Sequence, residues 1–202
     1  MTESQHQAPL RTGKRPLSPG TRKALGILFW IVSAGVTLFV AAGFFLPRSV
    51  EVRREIQIQA PVEKVFAAIE TLKRWPEWGP WFKRDRFIET AFEGPEAGQG
   101  SILKWKSKTE GEGQLKIIAA SPGRTLRLAV DFGQAGDANC AFDLQATPAG
   151  ETVVSWTFNT DFGQNMARRY FGLLLKPAVE RDLDEGLSEL KALLEAPPIA
   201  KP

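Results

Sequence analysis

The chain contains one histidine, His6, and one cysteine, Cys140, and these two residues narrow its possible chemistry. A zinc site of the His/Cys type needs three or four such ligands, and a Ser-His-Asp or Cys-His arrangement needs an imidazole beside the nucleophile. His6 lies in a basic N-terminal stretch, so the globular part can build neither, and no disulfide can form within one chain. Acid–base or nucleophilic catalysis would fall to carboxylates, Arg, Lys, hydroxyls, the single Tyr170 or Cys140 itself. Cys140 occupies an apolar position of a strand and reads as a small hydrophobe. Tyr170 either donates to a bound carbonyl or marks an apolar boundary beside Phe171. Gly98-Gln99-Gly100 and Gly111-Glu112-Gly113 precede strands rather than helices, so they read as turns and not as phosphate loops. The sequence predicts no metal, no cofactor and no catalytic residue.

Three tryptophans, Trp75, Trp78 and Trp81, recur at spacing three in the turn-rich run WPEWGPWF. They either cap the open end of a sheet or form an amphipathic rim that gates a pocket or touches a bilayer interface. Arg54 interrupts the apolar parity of its strand. It either snorkels to the strand end, pairs with an acid such as Glu89, or anchors an anionic headgroup. The Lys104, Lys106, Lys108 row reads as a solvated strand face, with attraction to anionic lipid as the alternative.

The elements that must position these residues follow from periodicity. Val50, Val52, Ile56 and Ile58 share one parity against polar neighbours, as in a strand with one buried face. Pro61 then suits the first turn of a helix carrying Val62, Val65, Phe66 and Ile69, and a second short helix around Leu72 to Trp75 ends at Pro76. Six strands follow, at 86–92, 101–107, 113–119, 125–132, 138–146 and 152–159, separated by Gly/Pro-rich turns that imply an antiparallel meander. The last segment returns to helical period. Pro177 divides it into a piece near 165–175 and a longer one whose stripe is Val179, Leu183, Leu187, Leu190 and Leu194. This order makes an α+β domain, an antiparallel sheet covering one amphipathic helix. The first strand should pair with a late strand, because two helices separate it from the next one.

Charge and hydropathy set the remaining limits. Residues 1–23 hold five basic side chains against one acid and read as a disordered basic tail, while the rest of the chain has 21 basic residues against 22 acidic. The basic excess therefore belongs to the tail, which argues against a nucleic-acid partner for the domain. Residues 24–46 carry no charge and span about 34 Å as a helix, enough to cross a bilayer. A cleaved signal would end near Ala42-Gly43, but the apolar run continues through Phe44, Phe45 and Leu46, so Ala24 to Leu46 reads as a single-pass anchor. Five Lys/Arg precede it and three follow within 15 residues, Arg48, Arg53 and Arg54. The positive-inside rule then places the N-terminus in the cytoplasm and the domain, residues 50–195, on the outer side of the cell membrane. Residues 196–202 read as a disordered tail.

Four stretches, VRREIQIQAPVEKVFAAIETLKRWPEWGPW, GPEAGQG leading into LKW, GEGQLKI, and EGLSELKALLE, resemble the polyketide cyclase/dehydrase branch of the START-like (SRPBCC, Bet v 1-like) superfamily. The resemblance implies a helix grip, a curved antiparallel sheet wrapped around a long C-terminal helix with a cavity between them. Strand parity gives that cavity an apolar wall. The inward positions include Leu103 and Trp105 on one strand, Leu115 and Ile117 on the next, then Leu128 and Val130, then Phe142 beside Cys140, then Trp156 and Phe158. With Arg54, Trp78, Trp81 and Tyr170, these are the candidate ligand-binding residues. The expected function is a membrane-anchored module that binds a hydrophobic small molecule or lipid. The alternatives are a cyclase/dehydrase-type enzyme for a similar ligand and a scaffold whose cavity is closed by packing.

Overall fold

A computed structural model describes residues 19–197; the expectations for residues 1–18 and 198–202 lie outside them. The chain divides into an N-terminal helical unit ending at Phe45 and a globular unit beginning at Leu46. Helix α1 runs Pro19–Phe45 and therefore starts ahead of the expected Ala24, within the stretch read as tail. Gly26–Phe45 is long and apolar enough to cross a membrane, with mean hydropathy 2.2. Inside it, the Thr37 hydroxyl donates to the Ser33 carbonyl at 2.9 Å, so the helix satisfies its own polar side chain.

In the globular unit, β1 (Ser49–Ile58) buries Val50, Val52 and Ile58. Pro61 caps α2 (Val62–Glu70), whose Val65, Phe66, Ala68 and Ile69 face the core. A 3-10 turn, Leu72–Arg74, leads into α3 (Trp75–Trp78) and α4 (Pro80–Arg84). Pro76 was expected to end a helix and instead stands in the first turn of α3. Its missing N–H would have had no intrahelical partner there.

Six further strands follow: β2 (Glu89–Glu93), β3 (Ile102–Lys106), β4 (Glu112–Ser121), β5 (Thr125–Asp131), β6 (Asp137–Ala146) and β7 (Thr152–Asp161). The sheet is wholly antiparallel in the order β1-β7-β6-β5-β4-β3-β2, so the first strand does pair with the last. Helix α5 (Met166–Glu195) turns Val179, Leu183, Leu187, Leu190 and Leu194 into the core. This is the helix grip.

The expected break at Pro177 is absent, and α5 is one helix through it. A proline inside a helix costs roughly 3 kcal/mol. Two anchors on either side hold the helix together. The Asn165 side chain accepts from the Arg168 amide at 3.2 Å and the buried Arg169 donates to the Gly163 carbonyl at 2.8 Å, while the buried stripe fixes the second half.

Gly186 lets α5 approach the sheet. A Cβ there would stand 2.8 Å from Cζ3 of Trp156, a ring stacked on Phe142 at 4.7 Å and unable to retreat. Gly186→Ala gains about 1 kcal/mol of helix propensity but overpacks the core by roughly 1–3 kcal/mol. The expected result is a melting temperature lower by a few degrees in a thermal scan; an increase would show that the contact can relax.

Candidate functional site

The cavity lies beneath the first half of α5. Its roof is Phe171, Leu175, Val179 and Leu183, and its floor is Leu103 and Trp105 of β3, Leu115 of β4, Val130 of β5, Cys140 of β6, and Trp156 and Phe158 of β7. The volume is about 300 Å³. Half-exposed Phe132 and Phe171 mark its mouth, and Trp105 meets Phe132 edge-on at 5.8 Å.

Alternation puts the floor residues on the inner face, but height along the strands decides which of them meet the cavity. Leu115 pairs with Val130, and both line it. Two residues along, Ile117 pairs with Leu128; both are fully buried and lie off the cavity wall. That step is about 7 Å along a strand, enough to pass from lined void to filled core. Phe142 lies one such step from Cys140, off the cavity wall, and packs with the fully buried Trp78 against Trp75 and Trp156, two rings that also border the cavity.

The structure thus separates the thirteen candidates. Trp81, Leu103, Trp105, Leu115, Val130, Trp156 and Phe158 line the cavity. Trp78, Ile117, Leu128, Phe142, Arg54 and Tyr170 are not in its wall. Trp78 is 0% exposed, 4.9 Å from Trp75 and 5.8 Å from Trp156, and so plugs the core instead of forming a rim. Arg54 pairs with Asp184 at 3.0 Å and Glu180 at 3.5 Å, not with Glu89. Those acids lie on α5, which packs across β1, whereas Glu89 stands on the opposite edge strand. The Asp184 carboxylate, more than Glu180, raises the Arg54 pKa. Tyr170 is half-buried beside the lining residue Phe171.

Residues that the sequence reading missed complete the wall: Phe82, Ile88, Phe132 and Phe162, with the carboxylates Glu110, Asp137 and Asp182. Phe132 and Phe162 each stand one residue past the end of a strand and continue the inward parity of Val130 and Phe158. Two of the acids form a closed network. Arg84 reaches Glu110 at 3.1 Å and Asp182 at 2.7 Å, and the Trp81 indole N–H donates to Asp182 at 3.1 Å. Glu110, then Asp182, drives the Arg84 pKa upward despite partial burial. The Ser107 hydroxyl steadies this corner by donating to Asp85 at 2.6 Å while its oxygen accepts from the Glu110 amide at 2.8 Å. Among the described residues no cluster of His, Cys, Asp and Glu could hold a metal ion.

Burial pushes the Cys140 thiol from 9.0 up to about 12. A neutral thiol is a poor nucleophile. Because the unfolded thiol ionises first, the folded state binds the extra proton between those two values, and stability falls as pH rises through about 9 to 12. In urea titrations across that window Cys140→Ala should show a shallower alkaline loss than the parent; equal slopes would mean that other groups govern it.

No curated protein matches the chain. Solved structures share the fold at low identity. Truncated norcoclaurine synthase from Thalictrum flavum aligns with a TM-score of 0.57 and 13% identity, covering 74% of this chain and 96% of that one. The di-domain ARO/CYC StfQ from the steffimycin biosynthetic pathway gives 0.57 and 12%, over 73% of this chain and 51% of its own. The Aha1 dimer from Colwellia psychrerythraea gives 0.52 and 19%, over 72% and 96%. At these identities the likeness establishes the fold alone. The family described as polyketide cyclase / dehydrase and lipid transport matches residues 49–195, from the first residue of β1 to the last of α5, and the chain belongs to that family.

Proposed function

We propose that the protein is a membrane-anchored binding module that holds a hydrophobic small molecule, or the apolar part of a lipid, under the first half of α5. The observation that carries this reading is the cavity itself: about 300 Å³ walled mainly by aromatic and aliphatic side chains, with Glu110 and Asp182 held on Arg84 and Asp137 as the remaining carboxylate in the wall. Ligand pockets run from about 300 to 1,000 Å³. At roughly 30 Å³ per water-sized volume the void admits about ten heavy atoms, which suits a stretch of acyl chain or a fused ring pair. The family description includes both lipid transport and cyclase/dehydrase chemistry. Binding without reaction is favoured here because Arg84 occupies both Glu110 and Asp182, and burial keeps Cys140 protonated.

A solvatochromic fatty acid should bind the isolated unit, residues 46–202, saturably and at one per chain. Absence of saturable binding of this probe and of a naphthalene-type probe defeats the reading. For the anchor, the full chain should resist carbonate extraction and keep its N-terminus. A C-terminal alkaline phosphatase fusion should be active, as an outer-side domain requires. An N-terminus found near Gly43 would make the apolar helix a cleaved signal.

A further inference from the structure

Helix α5 is divided by charge. From Met166 to Ala178 it carries Arg168, Arg169 and Lys176 and no acid, whereas Val179 to Glu195 carries six acids against Arg181 and Lys191. The cationic half also exposes apolar side chains, Phe171 at 52%, Leu173 at 55% and Leu174 at 74%. A helix covering a soluble domain would place polar residues there. Phe132, 37% exposed, joins them at the mouth, and Arg168 Nη2 ties its loop to the helix by donating to the Gln134 carbonyl at 3.0 Å. Both Phe132 and Phe171 also line the cavity.

The chain's connectivity points to what covers this patch. Only Leu46, Pro47 and Arg48 separate α1 from β1, a reach of about 10 Å. Ser49 pairs with Asp161, and the Phe162 amide donates to the Arg48 carbonyl at 2.7 Å, so the tether joins the domain beside the lead into α5.

We propose that the domain docks on an anionic lipid surface through the rim of its cavity, with Phe132, Phe171, Leu173 and Leu174 entering the interface and Arg168 and Lys176 meeting the headgroups. Arg169 takes no part, because it is buried on the Gly163 carbonyl. Docking of this kind lets an apolar ligand pass between bilayer and cavity without crossing water. The inference deepens the binding-module reading and rests on it; α1 would supply only the tether, and the rim residues alone supply the docking contacts.

Its test uses the globular unit, residues 46–202, which contains the whole family match. The unit should float with vesicles of phosphatidylglycerol and phosphatidylcholine, less with phosphatidylcholine alone, and less as salt is raised. Each headgroup cation contributes about fivefold, so the double variant Arg168→Gln, Lys176→Gln should bind roughly 25-fold more weakly. Leu174→Glu should also weaken binding at an unchanged melting temperature, since the side chain is largely in solvent. In the full chain placed in lipid nanodiscs, with Cys140→Ala removing the native thiol, a fluorophore on Leu174→Cys should be blue-shifted and quenched by doxyl lipid. The same fluorophore on Ile118→Cys, exposed on β4, should report water. No vesicle binding, binding indifferent to Leu174→Glu, or equal fluorescence at the two sites overturns the proposal. Failure of the full chain to resist carbonate extraction defeats the anchor alone, and the vesicle assay still decides the docking.

Discussion

Trp156→Ala should lower the stability of the globular unit by about 3–5 kcal/mol, the range for removing a large aromatic side chain from a packed core. The ring is the meeting point of the aromatic plug: stacked on Phe142 at 4.7 Å, and edge-on to Trp78, Trp81 and Trp75 at 5.8, 6.1 and 6.4 Å. It also receives α5 at Gly186, so its loss removes support from sheet, short helices and long helix together. The site cannot easily collapse, because Trp78 and Phe142 are fully buried and held by their own neighbours. Trp105→Ala is the control. That ring is only half-buried and borders the cavity, so its loss should lower stability by about 1–2 kcal/mol. Urea denaturation of both variants reads the difference. A loss below about 1 kcal/mol for Trp156→Ala would show that the plug is not a cooperative part of the fold.

The two tryptophans also show where the sequence stopped being informative. Both stand on the inward parity of their strands, and alternation assigns both correctly to the same face. Alternation has a period of two and says nothing about height along the strand, and height separates Trp105 at the mouth from Trp156 at the junction of plug and cavity. Ile117 and Leu128 were grouped with Leu115 and Val130 for the same reason. The fold was more legible because it depends on order and period. Strand, short helices, meander and amphipathic helix leave one economical way to cover the apolar faces, and the last strand is the free partner for the first.

Local rules failed where tertiary contacts outweighed them. Pro177 satisfies every criterion for a helix break, yet the buried stripe after it and the cap and Arg169 contact before it keep α5 whole. Arg54 was legible as a residue needing an acid. Its partners could not be chosen, because the choice depends on how α5 crosses β1, far along the chain. Phe132 and Phe162 continue the parity of Val130 and Phe158 past the ends of β5 and β7, and Phe171 stands eight residues before Val179 on the same helical stripe; only tertiary packing fixes their place at the cavity.

Height along the strand also dictates where a cavity-filling substitution belongs. Val130→Trp should abolish uptake of the fatty acid probe while changing stability by less than about 1 kcal/mol, because the indole extends into existing space. Leu128→Trp, two residues away on the same face of β5, has no such space. Leu128 is fully buried between Ile117 and Cys140, its partners on β4 and β5's other neighbour β6, and overpacking there should cost about 1–3 kcal/mol. The pair is matched in chemistry and strand, so the comparison isolates the void. Probe titration and urea denaturation on each variant give four readings. Binding lost with stability kept at 130, and stability lost at 128, is the pattern of a ligand cavity. Equal destabilisation at the two positions would mean that the space under α5 closes in solution, and the protein would then be a packed scaffold without a binding site.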